Sequence, residues 1–193
     1  MREEFYLGID QSLNATGIAL VDASGLYVAS QTITCIVGLG SAARLYRIRT
    51  QFCEFLSIHV ETYDDIRGVA REGFAVEATN RPFDLGMVAG VLEEATYAIC
   101  GLNPLSVPPT SLKKFATGSG AASKTQMLDS VKKKLGVDLG ERDDEADAVF
   151  LALFARAYAI KKFDTRAAAE AVHALSPATK RTRLKRASNK HNV

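Results

Sequence analysis

The chain has 193 residues, 47% of them hydrophobic and 24% charged, with 24 Lys+Arg against 22 Asp+Glu. That length suits one domain with a short appendage, and the apolar fraction excludes wholesale disorder. No apolar run approaches the roughly 18 residues of a membrane helix, and Met1-Arg2-Glu3-Glu4 lacks the pattern of a signal peptide. The widely spaced Cys35, Cys53 and Cys100 argue against a disulfide framework or zinc site. They read as small buried hydrophobes in a reducing, cytoplasmic setting.

In chain order, Phe5-Tyr6-Leu7-Gly8-Ile9-Asp10 predicts a strand ending in an acid, Gln11 to Asn14 a turn, and Thr16 to Val21 a second strand. The short connection rich in turn formers makes this pair an antiparallel hairpin. A turn at Asp22-Ala23-Ser24-Gly25 leads into a third strand over Leu26 to Thr34. Residues 41–60 change to helical spacing, with Leu45, Ile48, Phe52, Phe55 or Leu56, and Val60 on one side. Gly73-Phe74-Ala75-Val76-Glu77 predicts a short strand, again finishing in a carboxylate, and a helix follows over 84–100. Leu105-Ser106-Val107 is a last strand, stopped by Pro108-Pro109. Helices are expected near 110–116, over 123–135 and from Asp143 to Lys161, with a further turn or two over 165–175.

Three strands, helix, strand, helix, strand and helices describe an α/β domain over 1–175. It would be a mixed five-stranded sheet, an antiparallel three-strand meander plus two parallel strands, with helices on both faces. Residues 176–193 hold six of the 24 basic residues and no acid, which leaves 18 basic against 22 acidic residues in 1–175. A basic, apolar-poor tail carrying Lys180, Arg181, Arg183, Lys185 and Arg186 is expected to be flexible and suited to phosphates. A merely solvated end is the alternative.

Asp10, Glu77, Asp144 and Asp147 draw attention together. Each alone has a structural explanation, as an Asx turn, a solvated strand end or a helix cap. Asp147 resists this, because it lies one helical turn beyond Asp144 on the same face, among Ala146, Ala148, Val149 and Leu151. If the first strand and the strand ending at Glu77 are neighbours, with the C-terminal helix across their ends, these acids converge. Two carboxylates about 4 Å apart repel by about 4 kcal/mol at an effective dielectric near 20. No lysine or arginine immediately adjoins any of the four in sequence. A divalent cation relieves the repulsion, and all-oxygen ligands favour Mg²⁺ or Mn²⁺, in sites of the kind that hydrolyse phosphodiesters.

Four segments, LGIDQSLNATGIAL (7–20), GFAVEATN (73–80), LSVPPTSLKKFATGSGAASKTQM (105–127) and DDEADAVFLALFA (143–155), together resemble the RuvC-like Holliday junction resolvases. That resemblance implies a ribonuclease H-like fold and a homodimeric endonuclease that resolves four-way DNA junctions by paired nicks, leaving 5′-phosphate and 3′-hydroxyl ends. It implies two Mg²⁺ ions per site, with Mn²⁺ also supporting activity, held by Asp10, Glu77, Asp144 and Asp147 as catalytic acids. Lys124 matches the active-site lysine, and Lys113 a DNA-contacting position for which Lys114 could substitute. The helix over 84–100 matches the dimerisation region. Gln11-Ser12 replaces the family's usual Pro-Gly, and Asn80 its aromatic junction-contacting residue, leaving Phe83, in Arg81-Pro82-Phe83, as a candidate wedge against DNA. No membrane association is expected. The enzyme would work in a bacterial cytoplasm, or a host's if it is phage or viral.

Competing readings are a nuclease of the same fold acting on forks, flaps or RNA–DNA hybrids, and a non-catalytic junction-binding relative. An actin-like ATPase opens with a similar hairpin but needs two such domains.

Overall fold

The computed structural model describes residues 3–36, 38–73 and 82–175. Its five strands are β1 (Phe5–Asp10), β2 (Ala15–Asp22), β3 (Tyr27–Thr34), β4 (Ile66–Glu72) and β5 (Leu105–Val107). Its helices are α1 (Ser41–His59), α2 (Pro82–Cys100), α3 (Pro109–Thr117), α4 (Lys124–Leu135), α5 (Asp143–Ile160) and α6 (Arg166–His173). They form one sheet of order β3-β2-β1-β4-β5, in which β1, β2 and β3 are antiparallel and β4 and β5 run parallel to β1.

Side-chain alternation along the strands separates two apolar layers. Leu7, Ile9, Ile18, Leu20, Ile33 and Val69 meet Ile48, Phe52, Phe55 and Leu56 of α1, and Val88 and Leu92 of α2. Tyr6, Ala19, Val21 and Ala70 point to the other face, against Val149, Phe150 and Phe154 of α5, backed by α3 and α4. Each fully buried aromatic or aliphatic side chain here contributes about 1.5–3 kcal/mol. The cysteines are half-buried and unpaired, packed beside the α1/α2 layer rather than fully inside it.

Local signals set the helix ends. Pro109 opens α3, and Gly118 (φ 89°) closes it in the left-handed conformation. The Ser123 hydroxyl accepts from the Gln126 amide while Gln126 caps the Ser123 N–H, so part of the S-K-T-Q stretch is a capping box that starts α4 at Lys124.

A strand not expected from the sequence, β4, occupies Ile66–Glu72, and Gly73 leaves it by donating its N–H to the Val107 carbonyl (2.7 Å). Of the strand expected over 73–77, only Gly73 is among the described residues. No helix among the described residues is long and apolar enough to cross a membrane.

Candidate active site

Two glycines bring the site together. A Cβ on Gly8 would lie 1.9 Å from the Ala148 carbonyl oxygen, and one on Gly17 would lie 2.1 Å from that of Asp144. Neither strand could carry a larger residue there with α5 in place. Gly17 is also the cross-strand partner of Asp10. The start of α5, with Asp144 and Asp147, is therefore pressed onto the sheet beside Asp10. Strand parity does the rest, because Asp10 shares a face with Gly8, and Glu72 shares one with Ala70, which packs under α5. The parallel register pairs Gly8 with Ala70 and Ile9 with Arg71, so Asp10 and Glu72 end adjacent strands side by side.

The carboxyls of Asp10 and Glu72 are hydrogen-bonded to each other. Burial, then the negative charges of Glu72, Asp147 and Asp144, hold the Asp10 carboxyl well above the usual carboxylate range. Burial and then Asp147 push Glu72 up to about 7, against the pull of Lys113 and of the Asp10 hydrogen bond. Asp147 is raised to about 6, by burial and then Asp143, while Lys113 and Lys124 act the other way. Asp144 is raised too, by burial and by Asp143. Buried carboxyls that repel one another hold their protons more tightly in the absence of a cation.

Glu72 ends β4 beside Asp10, while Glu77, the acid to which the sequence pattern points, lies outside the described residues. Sequence reasoning did not single out Glu72, because Arg67, Arg71 and Glu72 break up the apolar pattern of β4. The more apolar Phe74-Ala75-Val76 looked like the better strand. The apolar Ile66, Val69 and Ala70, without regular alternation, were a weak signal that could have found it.

The Glu72 carbonyl accepts from Gln11 Nε2 (2.6 Å) and Arg71 Nη1 (2.7 Å). Arg71 Nε reaches Glu93 of α2 (2.6 Å), tying the end of β4 to that helix. Gln11 is buried, and its Oε1 has no hydrogen-bond partner among the described residues. Leaving such a group unsatisfied costs about 1–3 kcal/mol.

On the far side, Glu145 anchors the first turn of α5. It is buried and accepts from Ser30 Oγ, Thr32 Oγ1 (3.2 Å) and Arg142 Nη1 (3.1 Å), so its charge is paired and hydrogen-bonded. Sequence reasoning passed over Glu145; its position beside Asp144 on a helix facing the sheet was the available clue.

The two lysines of α3 diverge. Lys113 acts electrostatically on Glu72 and Asp147, whereas Lys114 turns away to Glu170 of α6 (2.7 Å) and is not brought to the acids. Lys124 forms an ion pair with Asp143, its hydrogen bond to that residue holding the ammonium pKa up, with Asp144 and Asp147 adding to the effect. Phe83 stands 85% exposed in the first turn of α2. Arg81 and the tail residues Lys180, Arg181, Arg183, Lys185 and Arg186 lie outside the described residues.

These groups fit a hard divalent cation. Partly buried carboxyl oxygens with raised proton affinity, with an orphaned amide oxygen on the residue that follows Asp10, are the donor set such an ion satisfies. Among the described residues no three acids are already closed into a ligand set. An incoming ion would compete with protons for these carboxyls.

The sequence profile described as crossover junction endodeoxyribonuclease RuvC matches residues 6–155. A protein of that name from Chromohalobacter salexigens is 32% identical over 154 residues, covering 76% of this chain and 77% of that relative. Another, from Francisella philomiragia, is 30% identical over 150 residues, 76% of this chain and 84% of its own length. Thermus thermophilus RuvC in complex with Holliday junction substrate superposes with a TM-score of 0.65 at 20% identity, over 78% of this chain and 91% of that one. That structural likeness bears on the fold, which is ribonuclease H-like. With the profile spanning most of the chain and the acids gathered at one end of the sheet, the protein belongs to the RuvC family of crossover junction endodeoxyribonucleases.

Proposed function

We propose that this enzyme resolves four-way DNA junctions by metal-dependent paired nicking, with Asp10, Glu72, Asp144 and Asp147 holding two Mg²⁺ or Mn²⁺ ions. The reading rests chiefly on one observation: acids from β1, β4 and α5 converge where burial and mutual repulsion raise their proton affinity. When bound, such ions lower the pKa of a water and offset charge on the reacting phosphate and leaving oxygen.

The chain's own groups position the rest. The Glu145 network and the close seat on Gly8 and Gly17 fix the pitch of α5, so Asp144 and Asp147 need no reorganisation. Lys113 and Lys124 rim the acids. A phosphate entering there competes with Asp143 for the exposed Lys124 ammonium, which then stabilises negative charge on the non-bridging oxygens. Lys114, already paired with Glu170, contributes less.

Opposed nicks across a branch point call for two sites related by a two-fold axis, hence a homodimer. Along α2, the exposed Phe83, Met87 and Tyr97 share a face with Gly90, whose added Cβ would meet open space. That face is the proposed dimer surface, and Phe83 at its end is the proposed wedge against DNA.

The test is a side-by-side Mg²⁺ titration on four-way junction, fork, flap, RNA–DNA hybrid and linear duplex, with sedimentation of the same preparation. The junction should be cut in pairs by a dimer. Asp10→Asn should lose at least 10³-fold in cleavage yet bind the junction as tightly as the parent or more so. Equal cutting of all substrates, or an active Asp10→Asn protein, refutes the reading.

A further inference from the structure

Gln11 follows Asp10 directly and makes a contact far from its place in the chain. Its Nε2 donates to the Glu72 carbonyl at 2.6 Å, across 61 residues of sequence. With Arg71 Nη1 at 2.7 Å, that bond fills both lone pairs of the carbonyl oxygen. The backbone of Glu72 is thus fixed from two sides just where β4 ends, and its carboxyl is held beside that of Asp10. The other half of the same amide is unsatisfied: Gln11 is 4% exposed, and Oε1 has no partner among the described residues. Buried amide oxygens are normally paired, so one left open on the residue that follows Asp10 and is bonded to the Glu72 backbone calls for a missing donor.

We infer that Gln11 is a positioning residue with two tasks. Its Nε2 locks Glu72 against Asp10, and its Oε1 accepts a hydrogen bond from water that hydrates a divalent cation among the acids. This rests on the metal-dependent reading above. Mg²⁺ and Mn²⁺ retain several waters when protein-bound, and those waters are strong donors. A carbonyl oxygen that orders one of them raises ion affinity without adding charge to a crowded anionic site. Outer partners of this kind commonly change metal affinity by about 10–100-fold. A proline or an apolar residue at position 11 could perform neither task, and only a side-chain amide can perform both.

Mn²⁺ binding to the full chain, read by calorimetry and by the ion-induced rise in melting temperature, tests this apart from catalysis. Gln11→Met keeps volume but removes both polar atoms, and should weaken Mn²⁺ binding about tenfold or more. Its melting temperature without ions should stay near that of the parent protein, while the rise on adding Mn²⁺ shrinks. Gln11→Glu keeps an acceptor oxygen and loses the donor. It should bind Mn²⁺ within about threefold of the parent, while its cleavage rate at saturating Mn²⁺ falls because Glu72 is no longer held. Should Gln11→Met prove poorly folded, the Gln11→Glu protein decides alone. Parent-like Mn²⁺ affinity and ion-induced rise in Gln11→Met, or Gln11→Glu binding more than tenfold more weakly than the parent, overturns the inference. A parent protein that binds no Mn²⁺ overturns the nuclease reading itself, and this one with it.

Discussion

At the scale of single residues, the acids store an electrostatic cost that an ion relieves. A carboxyl whose pKa is higher in the folded than in the unfolded chain binds its proton more tightly when folded. Its contribution to stability is therefore fully present below the ordinary pKa and is lost as pH rises through the folded value. For Glu72 that window runs from 4.5 to about 7, and for Asp147 from 3.8 to about 6. The ion-free protein should lose several kcal/mol over this range, a fall in melting temperature on the order of 10 °C. Glu72→Gln should remove much of that fall and also abolish cleavage, whereas Glu77→Gln should keep both the pH dependence and the activity. Melting curves from pH 5 to 8 without ions, with nicking assays on the same proteins, check this. A flat profile in the parent protein, or inactivity confined to Glu77→Gln, would reverse the assignment.

At the scale of elements, the decisive contact is α5 lying on β1 and β2. It depends on two missing side chains, since any Cβ at Gly8 or Gly17 overlaps helix backbone and not a side chain able to swing away. Gly8→Ala must push α5 off the sheet or bend it, at a cost of about 3 kcal/mol. Because Asp144 and Asp147 ride on that helix, cleavage by the folded fraction should fall by more than the loss of folded protein accounts for. Urea unfolding combined with single-turnover cleavage separates the two effects; loss of activity matching loss of folded protein would show that the helix position is not critical. Most elements could be read from local pattern, because hairpin turns, proline stops and helical spacing act over a few residues. β4 could not, since its charged residues owe their places to partners elsewhere: Arg67 to Glu4, Arg71 to Glu93, and Glu72 to Asp10.

At the scale of the whole molecule, charge is divided between an acidic body and a basic tail. Deleting 176–193 removes six positive charges. If the tail touches phosphates, junction affinity should drop and its dependence on log[salt] should flatten by up to roughly 0.9 for each phosphate no longer neutralised, with Mg²⁺-dependent cleavage retained. Binding isotherms at several salt concentrations measure this, and an unchanged slope leaves the tail a solvated end. The sequence alone determined the hairpin ending in Asp10, the Asp144/Asp147 pair one turn apart, the order of strands and helices and the divided charge, because all of these are local or additive. Only the tertiary structure decided that Glu72 meets Asp10, that Lys113 and not Lys114 faces the acids, and that Gln11 and Glu145 brace the site. Strand register and the rotation of a helix on a sheet are set by packing between distant segments, and no short stretch of sequence carries that information.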